Sequence, residues 1–406
     1  MMKIPFSPPY IDDDVIQEVT DCLKSGWITS GPRVKALEEE VMKYTGAEAA
    51  MCVNSWTSGA ALILKWWGIG EGDEVIVPAY TYSATALTVH HAGAKPVMVD
   101  TGVDFNATVE NIKNAISPRT KAIMPVDIAG WPCDYDAVMA LVNDPAVNAM
   151  FQAGNELQAK LGRILVISDA AHSIGAKYKG KRTGTQVDIT IFSFHAVKNV
   201  TTSEGGAICL CLPEPFDNTE VYRYLKVFGL NGQTKDAFSK SQAGGGGWRY
   251  DIITAGIKVN MPDVCAAIGL IQLRKYNDLL LAERRRVFDT YAKLFSDKPW
   301  AQLPPGEDEN RTSSFHLYAL RIIGVTEEQR DRMIEYVSEK GVSVNVHFIP
   351  MPMLTFFKGQ GYNIADYPVA YDNFSREISL PIYPQLTLEQ LQYIATAIEE
   401  AYQSIQ

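Results

Sequence analysis

The chain has 406 residues, of which 47% are hydrophobic and 21% are charged, and this composition disfavours both disorder and a long coiled coil. Its 37 Lys and Arg residues against 47 Asp and Glu residues give a net charge of −10. An acidic chain without a basic tract is a poor binder of nucleic acid or of an anionic membrane.

Neither the N-terminal sequence nor the cysteines indicate export. The opening residues MMKIPFSPPYIDDD lack the apolar stretch of a signal peptide, and no apolar run approaches the ~20 residues of a transmembrane helix. The six cysteines form no CxxC pair and show no zinc-finger spacing. We therefore expect a cytoplasmic protein with reduced thiols and no metal site.

Seven short apolar segments in the first two-thirds of the chain are the predicted strands. They are Ala49–Val53, Glu74–Val77, Lys95–Val99, Ala122–Val126, Ile164–Ile167, Ile189–Phe194 and Gly206–Leu210. Because they are apolar on both faces, they are typical of a mainly parallel sheet that is covered on both sides. Helical patterns such as Ser58–Trp67 and Ala84–His91 lie between them, so the repeated strand–helix–strand order predicts an α/β fold.

Two longer polar segments accompany these units. The segment Val142–Gly162 is helix-prone and is predicted to pack on the outside. The segment Asn231–Trp248 contains four consecutive glycines, and it is either a mobile surface loop or a flap or dimer arm near a site. It does not form a GxGxxG motif after a strand, so a dinucleotide-binding loop is not predicted.

The pattern changes after Pro262. A long helical pattern is followed by two strand patterns and two more helices, at Asp263–Phe295, Phe315–Ile323, Val342–Phe348, Thr326–Lys340 and Thr387–Ser404. We expect a large α/β domain over residues 1–262 and a smaller C-terminal α+β domain over residues 263–406, which begins with the linking helix.

Two predicted strand ends carry candidate catalytic residues. The segment ILVISDAAHS ends its strand at Asp169, which either caps the next helix or meets a cation, and His172 follows three positions later. Lys198 follows the next strand in sequence, with Ser193 and His195 nearby. A lone lysine is usually a solvated surface charge, but ligands of parallel α/β sheets bind at the carboxyl ends of strands. A partly desolvated Lys198 facing Asp169 suits Schiff-base chemistry with a carbonyl such as that of pyridoxal phosphate (PLP).

A third segment, CVNSWTSGAALIL, places hydroxyl groups at the start of a predicted helix. Ser55 or Thr57 can act as an ordinary N-cap. Alternatively, these hydroxyls and the free amides of the helix N-terminus can bind a phosphate group. Together the three segments contain a phosphate cradle, an amine and a carboxylate for a pyridinium nitrogen.

These segments belong to a series of motifs through which the chain resembles the DegT/DnrJ/EryC1/StrS family of PLP-dependent sugar aminotransferases over nearly its whole length. The motifs are IPFSPPY near the start, SGWITSGP (25–32), GDEVIVPAYTYSAT (72–85), PVMVD (96–100), ISPRTKAIMPV (116–126), DAAHSIGA (169–176), FSFHAVKN (192–199), EGG (204–206), GIKVNMPDVCAAIGLIQL (256–273) and SLPIYPQLT (379–387). The resemblance implies a fold-type I enzyme with a seven-stranded α/β/α domain, a small C-terminal domain, and PLP as cofactor.

The resemblance also implies roles for individual residues. Lys198 matches the lysine that holds the cofactor, and Asp169 matches the carboxylate that pairs with its ring nitrogen. The other residues implied at the cofactor are Tyr82 on the ring, His172 near the ring hydroxyl, Thr57, Ser58 and Ser193 at the phosphate, and Lys258 and Asn260 reaching the partner subunit's phosphate in a homodimer with shared sites. Candidates for substrate contacts are Trp27, Thr29, His195 and His347.

The expected reaction moves an amino group from glutamate to a nucleotide-linked keto-sugar, with a 4-keto-6-deoxy sugar as the expected acceptor. Such a reaction serves cell-surface polysaccharide or deoxyamino-sugar biosynthesis. Two alternatives are a sugar dehydratase of the same fold, whose members carry His where this chain has Lys198, and a non-catalytic regulator. Trp56, where the family commonly has a small residue, and Asp127, where it often has His, depart from the family pattern.

Overall fold

A computed structural model of the chain describes residues 2–235 and 248–406. The described strands are β1 (Ala49–Val53), β2 (Glu74–Pro78), β3 (Lys95–Val99), β4 (Thr120–Ile123), β5 (Leu165–Asp169), β6 (Lys177–Tyr178), β7 (Lys181–Arg182), β8 (Ile189–Ser193), β9 (Gly206–Leu210), β10 (Ala301–Gln302), β11 (Arg311–Thr312), β12 (Tyr318–Ile322) and β13 (Glu377–Leu380).

The described α-helices cover both faces of the sheet and the C-terminal part of the chain. They are α1 (Asp13–Lys24), α2 (Pro32–Thr45), α3 (Trp56–Trp66), α4 (Ala84–His91), α5 (Val109–Ala115), α6 (Tyr135–Val142), α7 (Pro145–Met150), α8 (Glu156–Leu161), α9 (Asn218–Phe228), α10 (Asp263–Arg274), α11 (Ala282–Phe295), α12 (Glu327–Glu339), α13 (Thr355–Gly359), α14 (Pro368–Arg376) and α15 (Leu388–Ser404).

The main sheet has seven strands in the order β1–β9–β8–β5–β4–β2–β3. Every neighbouring pair is parallel except the two pairs made by β9, which is antiparallel to β1 and to β8. Six of the seven strands are buried at every position, and β3 is the exception, as expected for strands covered on both faces. The prediction of an α/β fold with a mainly parallel seven-stranded sheet is confirmed.

A smaller sheet, β10–β12–β13, lies in the C-terminal part of the chain and has an apolar cluster of its own that includes Val287, Tyr318 and Ile394. The domain boundary at residue 262 stays a prediction. The predicted long helix consists of α10 and α11 joined by a π-helical stretch at Tyr276–Leu281. The hydroxyl of Tyr276 turns inward and donates to the Ile174 carbonyl at 2.7 Å.

The strand predicted at Val342–Phe348 is wrong. Within it, Val342 and Asn345 form only isolated bridges, and the third strand of the small sheet is β13 instead. The physical reason is that the amide of His347 donates to the carboxylate of Glu377 at 3.1 Å, so a side chain takes the place of the backbone partner that a continuing strand would need.

The two polar segments differ in what can be described. The segment predicted to pack on the outside contains α7 and α8, and Gln158 on α8 is anchored to the Trp67 carbonyl at 2.9 Å. Most of the segment Asn231–Trp248, namely residues 236–247, lies outside the described residues. None of the described helices is both long enough and apolar enough to cross a membrane.

Candidate active site

A cavity of about 420 Å³ lies at the carboxyl ends of β5 and β8. The main sheet contributes Asp169 and Ser193 to its lining, and the loop that follows β8 contributes Lys198. The C-terminal part of the chain closes the cavity with His316 and His347. Because the carboxyl ends of adjacent parallel strands meet at one sheet edge, Asp169 and Lys198 come together although 28 residues separate them in the sequence.

Asp169 is the last residue of β5 and is only 4% exposed. The hydroxyl of Thr85, on the first turn of α4, donates to its Oδ2 at 2.9 Å, and the amide of Ala171 donates to its Oδ1 at 3.2 Å. Burial raises the pKa of Asp169 to about 7, against the lowering effects of these hydrogen bonds and of Lys198. The site therefore holds a carboxyl that changes protonation near neutral pH unless a cation binds to it.

Lys198 is partly buried in the same cavity. Burial lowers its pKa to about 8 from an ordinary 10.5, and the negative charge of Asp169 opposes that shift. Among residues 2–235 and 248–406, no group accepts a hydrogen bond from its Nζ atom. A lysine with this pKa is neutral for a useful fraction of the time at physiological pH, which is the state that attacks a carbonyl carbon.

The N-terminus of α3 faces the cavity through Ser55, Trp56 and Thr57. Ser55 caps the helix by accepting from the Ser58 amide at 3.0 Å, so the N-cap interpretation of Ser55 is correct. The close approach of β9 to this helix end requires glycine, since a Cβ at Gly206 would lie 3.0 Å from the Trp56 amide nitrogen. The remaining free amides and the positive end of the helix dipole suit an anion.

Three further predicted residues line the cavity. Tyr82 is 62% exposed at its opening, and His195 lies at the mouth, 3.6 Å from Glu204. His172 is buried and accepts from the Ala129 amide on Nδ1 at 3.3 Å. Burial and the charge of Lys198 lower the pKa of His172 well below its usual value. Its ring is therefore neutral, and the proton lies on Nε2, which can donate to a ligand.

The other predicted site residues lie elsewhere. The hydroxyl of Ser58 accepts from Ser55 at 2.9 Å and does not line the cavity. Lys258 donates to Asn260, which donates to Ser30 at 2.5 Å. Trp27 and Thr29 precede Ser30 in the sequence. The cavity of a single chain is lined by none of four predicted residues: Trp27, Thr29, Lys258 and Asn260.

The two departures from the family pattern have different surroundings. Trp56 lines the cavity but is 6% exposed and packs in the main core. Asp127 is fully buried and accepts hydrogen bonds from Cys133 N at 2.9 Å, Ser173 Oγ at 2.6 Å and the Tyr135 hydroxyl. It therefore braces the loop behind Asp169 and does not line the cavity.

The sequence interpretation missed several residues of the cavity. Thr85, Phe6, His316 and Phe348 line it, and the hydrogen bond from Thr85 to Asp169 spans 84 residues of sequence. The ring of His316 lies 4.4 Å from that of His172. Thr85 is in the motif GDEVIVPAYTYSAT, but nothing in the sequence pairs it with Asp169.

The cavity fits PLP by the chemistry of its groups. The fit rests on an amine with no described hydrogen-bond partner, on a buried carboxyl opposite it, and on a helix N-terminus beside two hydroxyls, Thr57 and Ser193. A phosphate needs donors, a pyridinium nitrogen needs an acceptor, and an aldehyde needs an amine. Among the described residues, no group of three His, Cys, Asp or Glu side chains is placed to hold a metal ion.

The fold and this cavity define a PLP-dependent transferase. The sequence model of the DegT/DnrJ/EryC1/StrS aminotransferase family matches residues 9–399, and the chain belongs to that family. This confirms the family, the cofactor and the enzyme class, a PLP-dependent sugar aminotransferase.

Three relatives illustrate the likeness. The spore coat polysaccharide biosynthesis protein SpsC of Bacillus subtilis is 35% identical over 98% of this chain and 96% of its own. The proposed sugar aminotransferase Spr1654 of Streptococcus pneumoniae, in its PMP form, is 40% identical with a TM-score of 0.94 and covers 100% of this chain and 98% of its own. Helicobacter pylori PseC, an aminotransferase involved in pseudoaminic acid biosynthesis, is 26% identical with a TM-score of 0.85 over 99% of this chain and 100% of its own.

Proposed function

We propose that the chain transfers the amino group of glutamate to the keto carbon of a nucleotide-linked sugar, with a 4-keto-6-deoxy sugar as the acceptor. The observation that carries the proposal is the pairing of Lys198 with Asp169 in one cavity, with the pKa of the lysine lowered to about 8. The polysaccharide role in the name of SpsC and the sugar pathway of PseC support a place in polysaccharide or deoxyamino-sugar biosynthesis.

Bound PLP supplies a carbonyl that amines attack and a ring that accepts the electron pair released when a C–H bond breaks. Lys198 is the residue that would hold the cofactor covalently. Asp169 would face the ring nitrogen, and its buried carboxylate would keep a proton there by charge pairing. Thr57, Ser193 and the amides of α3 would bind the phosphate, and Tyr82 would cover one ring face.

Lys198 would have a second task as a base. Because burial lowers its pKa to about 8, its Nζ atom would take and hold the proton from the carbon that bears the amino group of the donor, since a base with a pKa near the working pH is the most effective. His172 would donate its Nε2 proton toward the ring hydroxyl. Water is excluded from the rear of the site because Asp169 and His172 are at most 5% exposed.

The two rival functions lack this support. A dehydratase of this fold carries His in place of the lysine, whereas this chain has Lys198 in the cavity. A non-catalytic regulator has no need for a buried carboxyl and an amine with a lowered pKa placed together. The aminotransferase proposal therefore explains features that both rivals leave without a purpose.

We also propose a homodimer with shared sites. The segment that carries Lys258 and Asn260 runs beside the N-terminus of α3, because the Asn54 amide donates to the Val259 carbonyl at 2.8 Å. Both side chains nevertheless point away from the cavity of their own chain. A two-fold axis, the commonest oligomeric symmetry, would let each chain add a cation and an amide to its partner's phosphate cradle.

The experiment that tests the function is a panel of keto-sugar nucleotides incubated with the enzyme, PLP and glutamate, and read by mass spectrometry. We expect amino-sugar product and 2-oxoglutarate in equal amounts from at least one 4-keto-6-deoxy sugar. The matched control is Lys198→Ala, which should yield neither. Loss of water from the sugar without nitrogen transfer would support the dehydratase and contradict the proposal.

A further inference from the structure

His347 is held more tightly than a residue that merely lines a cavity. Its amide donates to Glu377 Oε2 at 3.1 Å, and its carbonyl accepts from the Tyr80 hydroxyl at 2.6 Å. Its ring Nδ1 lies 2.9 Å from Ser379 Oγ, and Phe6 stacks on the ring at 5.3 Å. The backbone and the ring are therefore both fixed, and Nε2, on the other side of the ring, is left for a ligand.

Behind this histidine lies a buried acid that the proposed mechanism does not use. Glu377 is 0% exposed on β13, and Ser379 Oγ donates to its Oε1 at 2.5 Å. The three side chains therefore form a continuous relay from the core to the cavity, in the order Glu377, Ser379, His347. Burying a carboxyl is costly, so its presence at this position calls for a purpose.

We propose that Glu377, acting through Ser379, determines which ring nitrogen of His347 carries the proton, and thereby whether His347 accepts or donates a hydrogen bond at a hydroxyl of the sugar substrate. Glu377 and Ser379 are positioning residues, and His347 is the residue that touches substrate. The part that concerns the sugar rests on the function proposed above, whereas the relay itself does not.

The Ser379 hydroxyl has a single hydrogen, and this couples the protonation of Glu377 to the tautomer of His347. When Glu377 is ionised it can only accept, so Ser379 donates to it and must accept from the Nδ1–H group of His347. Nε2 then has a lone pair and accepts. When Glu377 is protonated, the proton lies on Oε1, because Oε2 faces the His347 amide. The Ser379 hydroxyl then accepts a hydrogen bond from the Oε1–H group and donates its own hydrogen to Nδ1. The ring proton of His347 is therefore on Nε2, which donates.

The groups around Glu377 place its ionisation, and with it the change of His347 tautomer, within a testable range of pH. Arg321 on β12 lies opposite Glu377 in the antiparallel strand register, and Arg330 on α12 donates to the backbone carbonyl of Glu377 at 2.9 Å. Tyr80 and His347 are the other titratable residues that interact with it. Burial outweighs the hydrogen bonds and the two arginines, and it raises the pKa of Glu377 to about 8. The ring of His347 stays neutral throughout, because burial and Lys198 lower its pKa to about 3.

The test is nitrogen NMR of protein labelled in its histidine rings, with PLP bound and no sugar present. The signals of His347 are assigned with His347→Gln. In the wild type we expect the Nε2–H tautomer well below pH 8 and the Nδ1–H tautomer well above it. In Glu377→Gln we expect the Nε2–H tautomer at every pH, because the amide oxygen accepts from the His347 amide while the NH₂ group donates to Ser379. The same tautomer on both sides of pH 8 in the wild type would overturn the proposal.

Kinetics supply the second readout. Above pH 8, Glu377→Gln should change kcat/KM for the keto-sugar by about tenfold or more, the usual effect of mispairing a buried hydrogen-bonding group. Below pH 7 the two proteins should agree within about twofold, because both present a donor. The half-reaction with glutamate, which has no hydroxyl group, should be unaffected. An equal loss at all pH values and in both half-reactions would mean that Glu377 is only structural, and would overturn the proposal.

Two variants keep the test decisive. Glu38→Gln alters a buried glutamate that pairs with Lys226 away from the cavity, and it should leave the His347 signals unchanged. Ser379→Ala breaks the relay but retains the contact between Glu377 and the His347 amide, so it serves if Glu377→Gln does not fold. A pH-dependent tautomer that persists in Ser379→Ala would refute the relay. Because the NMR measurement needs no sugar, a failure of the proposed function cannot be mistaken for a failure of the relay.

Discussion

The lowered pKa of Lys198 predicts how fast the apoenzyme captures PLP at each pH. Only the neutral amine attacks the aldehyde, so the second-order rate constant should follow the neutral fraction of Lys198. Burial lowers the pKa from 10.5 to about 8. The capture rate should therefore rise with pH through a midpoint near pH 8, about 2.5 units below the midpoint for a solvent-exposed lysine.

The size of the effect follows from these two values. At pH 7 an amine with a pKa of about 8 is roughly 10% neutral, whereas an amine with a pKa of 10.5 is roughly 0.03% neutral. The structure therefore implies an advantage of about 300-fold in the reactive form at pH 7. The charge of Asp169 works against this advantage, because it favours the ammonium form of Lys198.

Asp169→Asn should therefore make PLP capture easier at neutral pH, although it slows turnover. Removing the carboxylate lowers the pKa of Lys198 further, so the midpoint of PLP capture should move to lower pH while amino transfer becomes slower. Stopped-flow absorbance of apoenzyme mixed with PLP measures the midpoint, and comparing variants at each pH cancels the titration of free PLP. Lys198→Ala provides the baseline, and Glu38→Gln, a remote buried carboxyl, should match the wild type. A wild-type midpoint near 10, or a midpoint that rises in Asp169→Asn, would refute the reasoning.

Three further predictions concern the same site. Asp169→Asn should retain PLP but lose about 10²-fold or more in kcat, by analogy with removal of one electrostatic stabiliser; unchanged kcat would contradict its role. Thr85→Val removes the hydrogen bond that favours ionised Asp169, so the acidic limb of the pH–rate profile should move to higher pH, and a profile identical to the wild type would exclude that coupling. Lys198→Ala mixed with the Lys258→Ala, Asn260→Ala double variant should regain activity after subunit exchange, because hybrid dimers hold one intact site; proven exchange without rescue would exclude shared sites.

The strands of the main sheet were predictable because a strand that is buried on both faces consists mainly of apolar residues. A strand such as Ile189–Ser193 is covered on both faces and is therefore mostly apolar, so its place in the chain is visible without a structure, although the predicted strand ended one residue later, at Phe194. Asp169 and Lys198 were predictable for a related reason, since Asp169 ends one such strand and Lys198 lies in the loop that follows another. Polar residues at those points have few structural roles, and their position relative to the sheet edge follows from its topology.

The small sheet was harder to predict because its contacts depend on side chains far apart in sequence. Val342–Phe348 has the alternation of a strand, but a carboxylate from β13 binds the His347 amide that a strand would have paired. The residue pattern of neither segment reveals that a side chain replaces the backbone hydrogen-bond partner there. The hydrogen bond from Thr85 to Asp169 is hidden in the same way, because it joins a helix start to a strand end that are adjacent only in the folded protein.

These long-range contacts also suggest how one scaffold can serve different sugars. Asp169, at the end of β5, and Lys198, in the loop that follows β8, line the cavity from the side of the main sheet, where the chemistry common to every amino acceptor would be carried out. His347 and its relay come from the C-terminal part of the chain, which closes the cavity from the opposite side. A change at Glu377 can therefore alter the hydrogen bonding offered to a sugar hydroxyl without moving the groups that carry the amino transfer. Specificity can then diverge through buried residues such as Glu377, behind the cavity wall.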